Sequence, residues 1–297
     1  MRAVLAVLAG SAVVAAVPAP QVVARVATGS APCGAAAGLG SVWIAVYDTG
    51  KLVRIDPGRN RVVARIPVAR GICPIAVAGS TVWVASDRTN TLYRVDPRRG
   101  RVVARIPVAR WPAHVVAALG SLWVSGYDRG AVTRIDPVTN AVLRVYEIGG
   151  NPSGLAAVRG SLFVAFGRNG TSLGRLDPSS GTLEQLPIGH TAPGFLRAAF
   201  GSLWTTTEDG YAVRVDPDSG RVLASVPVPG TPAGIVTGHD GMLWVAEKQN
   251  NTLTRIDPAT NRVVDVTGAG RGALAVAAAG GGMWVTSYAG ADVWRFR

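Results

Sequence analysis

Hydrophobic and polar positions along this chain alternate in short blocks that recur at a fixed period. From Cys73 to Arg110 the order begins with the apolar run Pro74-Ile75-Ala76-Val77-Ala78, the turn Gly79-Ser80 and the run Val82-Trp83-Val84-Ala85-Ser86. A polar loop, Asp87 to Asn90, then leads to Thr91-Leu92-Tyr93-Arg94-Val95, the turn Asp96-Pro97-Arg98-Arg99-Gly100 and the alternating run Arg101-Val102-Val103-Ala104-Arg105-Ile106. Runs this short, rich in Val and bounded by Gly, Asp and Pro, read as strands. Four of them in about 40 residues make one blade of a β-propeller.

The pattern repeats seven times. Its aromatic marker falls at Trp43, Trp83, Trp123, Phe163, Trp204, Trp244 and Trp284, a spacing of 40 with a single 41. A second marker, Arg-x-Asp-Pro, follows the first six, beginning at Arg54, Arg94, Arg134, Arg175, Arg214 and Arg255. The predicted fold is therefore all-β, a seven-bladed β-propeller with four strands per blade. Proline presets the first central turn position, and Asp accepts hydrogen bonds from the turn backbone. Asn60, Gly100, Asn140, Gly181, Gly220 and Asn261 stand where each turn needs a left-handed residue. Six-fold recurrence assigns these Asp residues to the scaffold. The Arg is expected to meet a neighbouring blade, and the aromatic to pack between blades.

The ends of the chain support closure. The last repeat has three strands, Ala273 to Ala278, Met283 to Tyr288 and Asp292 to Phe296. Gln21-Val22-Val23-Ala24-Arg25-Val26 matches Arg61-Val62-Val63-Ala64-Arg65-Ile66, a fourth strand. It is expected to complete the last blade and remove an exposed edge. Residues 20–297 then form one propeller domain. Residues 1–19, with the apolar run Ala3 to Pro18, read as a secretory signal, too short to cross a membrane comfortably. The expected location is extracellular or in the cell envelope, with no other segment able to span a membrane. An uncleaved leader would instead hold the chain at the membrane.

Composition adds less. The net charge is +12, almost all from Arg, since Lys51 and Lys248 are the only lysines. Such charge attracts polyanions, yet it also arises from bias toward Arg alone. Arg61, Arg65, Arg101, Arg105 and Arg25 would form a basic stripe on the outer wall. The stripe lacks interleaved aromatics, so nucleic acid is not favoured as a partner. Cys33 and Cys73 occupy equivalent places in consecutive repeats. They are either a disulfide between the first two blades or two small buried thiols.

Function is expected on the face that carries the loops between second and third strands and the links between blades, because these vary while the Asp-Pro turns do not. The candidate ligand-binding residues there are Tyr47, Asp48, Asp87, Arg88, Arg110, Trp111, Tyr127, Asp128, Arg129 and Tyr288. They should surround a polar funnel suited to a small polar ligand, an envelope polymer or a protein. His114 and His190 lie on that face, and His239 falls on the opposite one. No phosphate-binding loop, histidine metal pair or nucleophile elbow is present. A monomer is expected, without metal or cofactor.

Gly120-Ser121-Leu122-Trp123-Val124-Ser125, leading to Arg134-Ile135-Asp136-Pro137-Val138-Thr139-Asn140, resembles the YncE-like propellers with YVTN-type repeats. It also resembles the virginiamycin B lyase (streptogramin lyase) superfamily. The resemblance spans about Gln21 to Arg297 and rests mainly on scaffold residues. It implies the seven-bladed fold. For a lyase it implies elimination across the ester of a cyclic depsipeptide, with magnesium in the funnel, a histidine base and nearby glutamates. Asp240-Gly241-Met242-Leu243-Trp244-Val245-Ala246-Glu247 is the segment most like a lyase blade, which puts Glu247 at the family's glutamate place and Glu208 at the corresponding point one blade earlier. Those two would hold magnesium, with His114 or His190 as base. No histidine closely follows Glu247, and Gly234 stands where a channel histidine would be wanted. The first reading is accordingly a non-catalytic binding scaffold, the second a lyase, and the third a binder of DNA or an anionic surface.

Overall fold

A computed structural model describes residues 18–297, so all but the end of the expected leader lies outside the described residues. Seven four-stranded antiparallel sheets form the blades. Blade 1 (residues 32–67) runs outward from Pro32–Gly38 through Ser41–Val46 and Lys51–Asp56 to Arg61–Pro67. Blades 2 to 6 follow at residues 72–107, 112–147, 152–187, 193–227 and 232–268. Blade 7 joins Ala273–Ala279, Gly282–Ser287 and Asp292–Phe296 to the N-terminal strand Val22–Ala27, as expected. Val22 pairs with Phe296, and Gln21 and Arg297 exchange backbone hydrogen bonds of 2.7 and 3.0 Å beside them. No helix among the described residues is long and apolar enough to cross a membrane.

The repeated markers hold blade to blade. Trp43 of blade 1 packs with Val82, Val84 and Tyr93 of blade 2, and the pattern recurs round the ring. Each marker Trp lies under the marker Arg of its own blade, with the guanidinium carbon 5.2 to 5.4 Å from the ring centroid. Several of these arginines also reach the next blade's turn, as Arg94 does to Asn140 Oδ1 and Arg214 to Asn261 Oδ1, both at 3.0 Å, while Arg54 and Arg134 bond Ser41 and Ser121 of their own blades. Asn therefore does two jobs. It takes the left-handed backbone, φ 64° at Asn140 and 57° at Asn261, and it accepts from the preceding blade.

Blade 7 has no Asp-Pro turn, yet its Arg295 is only 2 % exposed and donates to Pro57 O at 2.7 Å and to Asn60 Oδ1 across the closure. Arg255 has no such turn ahead of it and pairs with Asp265 and Asp240 instead. The turn carboxylates accept from their own backbone, for example Asp56 Oδ1 from Gly58 N at 2.8 Å. Hydrogen bonds from Ser179 and Ser180 hold the Asp177 carboxyl at about 2, well below its ordinary 3.8.

Cys33 and Cys73 are bonded, with Cα atoms 5.1 Å apart. Inner strands approach closely near the axis. A Cβ on Gly34 would sit 1.9 Å from the carbonyl oxygen of Cys73. That crowding brings the equivalent cysteines of adjacent blades within bonding reach. The outer-wall arginines also brace neighbours: Arg65 donates to Ala27 O at 3.2 Å, and Arg25 lies 3.8 Å above the Trp294 ring.

Candidate functional site: the mouth and throat of the central channel

One backbone bond recurs in every blade and defines a ring. The first residue beyond each second strand donates its N–H, at 2.9 to 3.2 Å, to a carbonyl in the link entering its own blade. The seven donors are Tyr47, Asp87, Tyr127, Gly167, Glu208, Lys248 and Tyr288. Fixed identically, they encircle the mouth of the channel with side chains that differ in every way the scaffold does not require.

The side chains of Lys248, Tyr288, Tyr47 and Tyr127 lean toward the following blade. Lys248 Nζ stands 5.6 Å from the Tyr288 ring centroid, and Tyr288 meets Tyr47 edge-on at 6.4 Å. Tyr47 Oη donates to Asp87 Oδ2 at 2.9 Å, while Arg88 covers the Tyr47 ring at 5.4 Å. Burial and the Asp87 carboxylate raise the Tyr47 phenol above its ordinary 10.0, so it stays a donor. Asp87 Oδ1 is buried without a partner among the described residues. Tyr127 lies over Gly167, where a Cβ would come 2.9 Å from its ring. Trp111 packs against Tyr127 at 5.8 Å. Trp111 is 45 % exposed, and its backbone is left-handed at φ 55°, a strained state for an aromatic residue.

Below the mouth lies a cavity of about 680 Å³ walled by the innermost strands. The funnel expected to be polar is polar only at its mouth. Its throat is built from Ala, Val, Ile, Leu and Gly with Pro74, Phe195 and the Cys33–Cys73 bridge, and His114, Arg197 and Thr237 are its other polar side chains. His114 Nδ1 accepts from Leu155 N at 3.2 Å, which leaves the ring proton on Nε2. Burial lowers this histidine from 6.5 to about 4, so it is neutral near neutrality.

The remaining sequence candidates are scattered. Asp48 is exposed and accepts from Ser30 Oγ at 2.8 Å. Arg110 pairs with Asp128 at 3.4 Å, and Arg129 is exposed. His190 is held on the outer part of blade 5 by Asp209 at 2.9 Å and by Ser225 Oγ at 2.8 Å. Glu208 is exposed in the ring, whereas Glu247 is fully buried. Strand register also separates these two. Pro193 pairs with Thr207 and Pro232 with Glu247, so Thr207 rather than Glu208 is the counterpart of Glu247.

A magnesium ion does not fit this arrangement. The Glu247 carboxylate accepts from the backbone N–H groups of Thr231, Gln249 and Asn250, which uses both oxygens to fasten the mouth loop. No three His, Cys, Asp or Glu side chains among the described residues are grouped to hold a metal. The Gly234 position has no room for a histidine, because a Cβ there would lie 2.6 Å from Leu274 O.

No family model matches the sequence, and no curated protein matches it. Solved structures do. A streptogramin B lyase superposes with a TM-score of 0.80 at 17% identity, covering 91% of this chain and 94% of its own. Hydrazine synthase from Kuenenia stuttgartiensis gives a TM-score of 0.77 at 15% identity, with 91% and 96% covered. A catalytically inactive histidine-to-alanine virginiamycin B lyase from Staphylococcus aureus, with quinupristin, gives 0.68 at 19%, with 76% and 80% covered. The likeness is one of fold. It bears out the propeller that the repeat predicts, and neighbours so different in their printed names leave chemistry to the site itself.

The sequence reading missed Arg197, Arg295 and the ring as a unit. Arg197 was visible only as a departure from its repeat position, seven residues before Trp204.

Proposed function

We propose that this chain is an exported, non-catalytic binding scaffold that receives a ligand or protein partner on its funnel face. The observation that carries the reading is the mouth ring. Tyr288, Tyr47 and Asp87 lie in one continuous contact line at the end of the blades that opens onto the throat, although no repeat position demands those residues. Aromatic faces beside a carboxylate and cations give orientation, and an apolar throat gives affinity. The dispersal of His114, His190, Glu208 and Glu247 supports binding over elimination, which needs base and electrophile at one reacting centre. The expected lipophilic contribution of the throat refines the ligand from purely polar to one with an apolar part.

Nile red, a neutral dye, tests the binding reading. One equivalent is expected to bind saturably and to reduce acrylamide quenching of Trp111. Absence of uptake would overturn the site. The enzymatic alternative is tested with quinupristin and magnesium. Quinupristin is expected to elute unchanged. A linear product that disappears in Glu247→Gln would overturn the non-catalytic reading.

A further inference from the structure

The throat contains one charge that the fold does not use. Arg197 lies on the innermost strand Pro193–Ala199 and pairs in register with Trp204. In the other six blades the residue opposite the marker aromatic is Ala36, Ala76, Val116, Ala156, Val236 or Ala277. Small apolar side chains therefore satisfy the scaffold at this place. Arg197 makes no hydrogen bond or ion pair to any described residue, unlike the marker arginines of the blades. Arg197 is exposed to the channel rather than enclosed in the wall, and no carboxylate lines the cavity around it.

Its guanidinium stands open to the channel above an apolar wall, a cation able to take an anion without displacing any protein partner. The cavity offers a second free donor of the same polarity. His114 spends Nδ1 on Leu155 and presents an Nε2–H without a partner among the described residues. Apart from Thr237 and the Cys33–Cys73 bridge, the rest of the wall offers only apolar surface and backbone, and about 680 Å³ is ample for a small organic molecule. Two donors without a protein partner, open to an apolar throat, select a ligand that is anionic at one end and apolar over its body.

We infer that the throat binds an amphipathic monoanion, a carboxylate carried on an apolar chain or ring, with the carboxylate on Arg197 and the body against the alanine and valine wall. This rests on the reading of the channel as a binding site. The anion supplies the acceptor pair that the planar guanidinium lacks. The apolar body displaces water from the wall, and the ring at the mouth admits it.

Dansylaminoundecanoic acid and its methyl ester separate the two levels of the inference in fluorescence titrations of the mature protein. The acid is expected to bind as one equivalent and more tightly than the ester. Arg197→Val, which installs the residue of blades 3 and 6, is expected to weaken the acid about tenfold or more. The ester should be unaffected by that change. Arg197→Lys should recover part of the loss, and the circular dichroism of both variants should match the parent. Excess inorganic phosphate should leave the acid bound. Equal affinity for acid and ester, with no effect of Arg197→Val, would overturn the anion assignment and keep the channel as a site. Displacement by phosphate would overturn the apolar half. Failure of both probes to bind would overturn the channel reading itself.

Discussion

His114 should make the stability of this propeller depend on pH in a way that can be calculated. Its imidazole lines the throat and accepts the Leu155 N–H, and burial lowers its pKa from 6.5 to about 4. The only other charged side chain in the throat wall, Arg197, is a cation and gives a protonated ring no relief. In the unfolded chain the ring takes up a proton as pH falls through its ordinary value, while in the folded chain it does not. Stability from this group is therefore complete above the unfolded value. It is lost progressively as pH falls toward about 4, and the loss then levels off. At about 1.4 kcal/mol per pKa unit the full loss is about 3 kcal/mol. Urea unfolding measured from about pH 7 to about pH 4 gives the parent curve. His114→Gln gives the reference, because its amide oxygen can still accept from Leu155 without titrating. The parent should lose about 3 kcal/mol more than the variant across this range. Parallel curves would refute the argument, as would a His114 ring proton whose NMR shift titrates near 6.5.

Reduction of Cys33–Cys73 opens a loop spanning 40 residues and should cost about 4 kcal/mol, seen as a lower urea midpoint with reductant. An unchanged midpoint would contradict a constraint on the unfolded chain. Arg295→Ala leaves Pro57 O and Asn60 Oδ1 without their donor and should destabilise by about 3 kcal/mol. Hydrogen exchange in that variant should rise first in Val22–Ala27 and Asp292–Phe296, and uniform acceleration elsewhere would argue against a local clamp.

The scaffold was legible because it is written seven times. Strand lengths, Asp-Pro turns and the Trp and Arg markers all recur, and recurrence separates their packing role from chemistry. Closure was legible too, since Gln21 to Val26 copies an outer strand. The throat was not. Its character depends on which strand lies innermost and on how closely those strands approach, and Ala-rich runs such as Ala35-Ala36-Ala37 look alike whether they face a neighbour or a channel. Glu247 was misleading for a related reason. A glutamate at a strand end beside a loop resembles a ligand until its three backbone donors are seen. The disulfide stayed open because its span depends on the crowding around Gly34.

The pairing of Val22 with Phe296 also has a consequence for how the protein is made. Blades 1 to 6 are each assembled from consecutive strands, so each can form as its stretch of chain emerges. Blade 7 needs the earliest strand and the latest together. Until Phe296 arrives, Val22–Ala27 remains an unpaired edge, and so does the open flank of blade 1. A chain cut short at translation keeps both, exposed to pairing with other chains. Ring closure thus acts as a completeness check, in which only a chain with both ends intact pairs Val22–Ala27 with Asp292–Phe296 and closes blade 7.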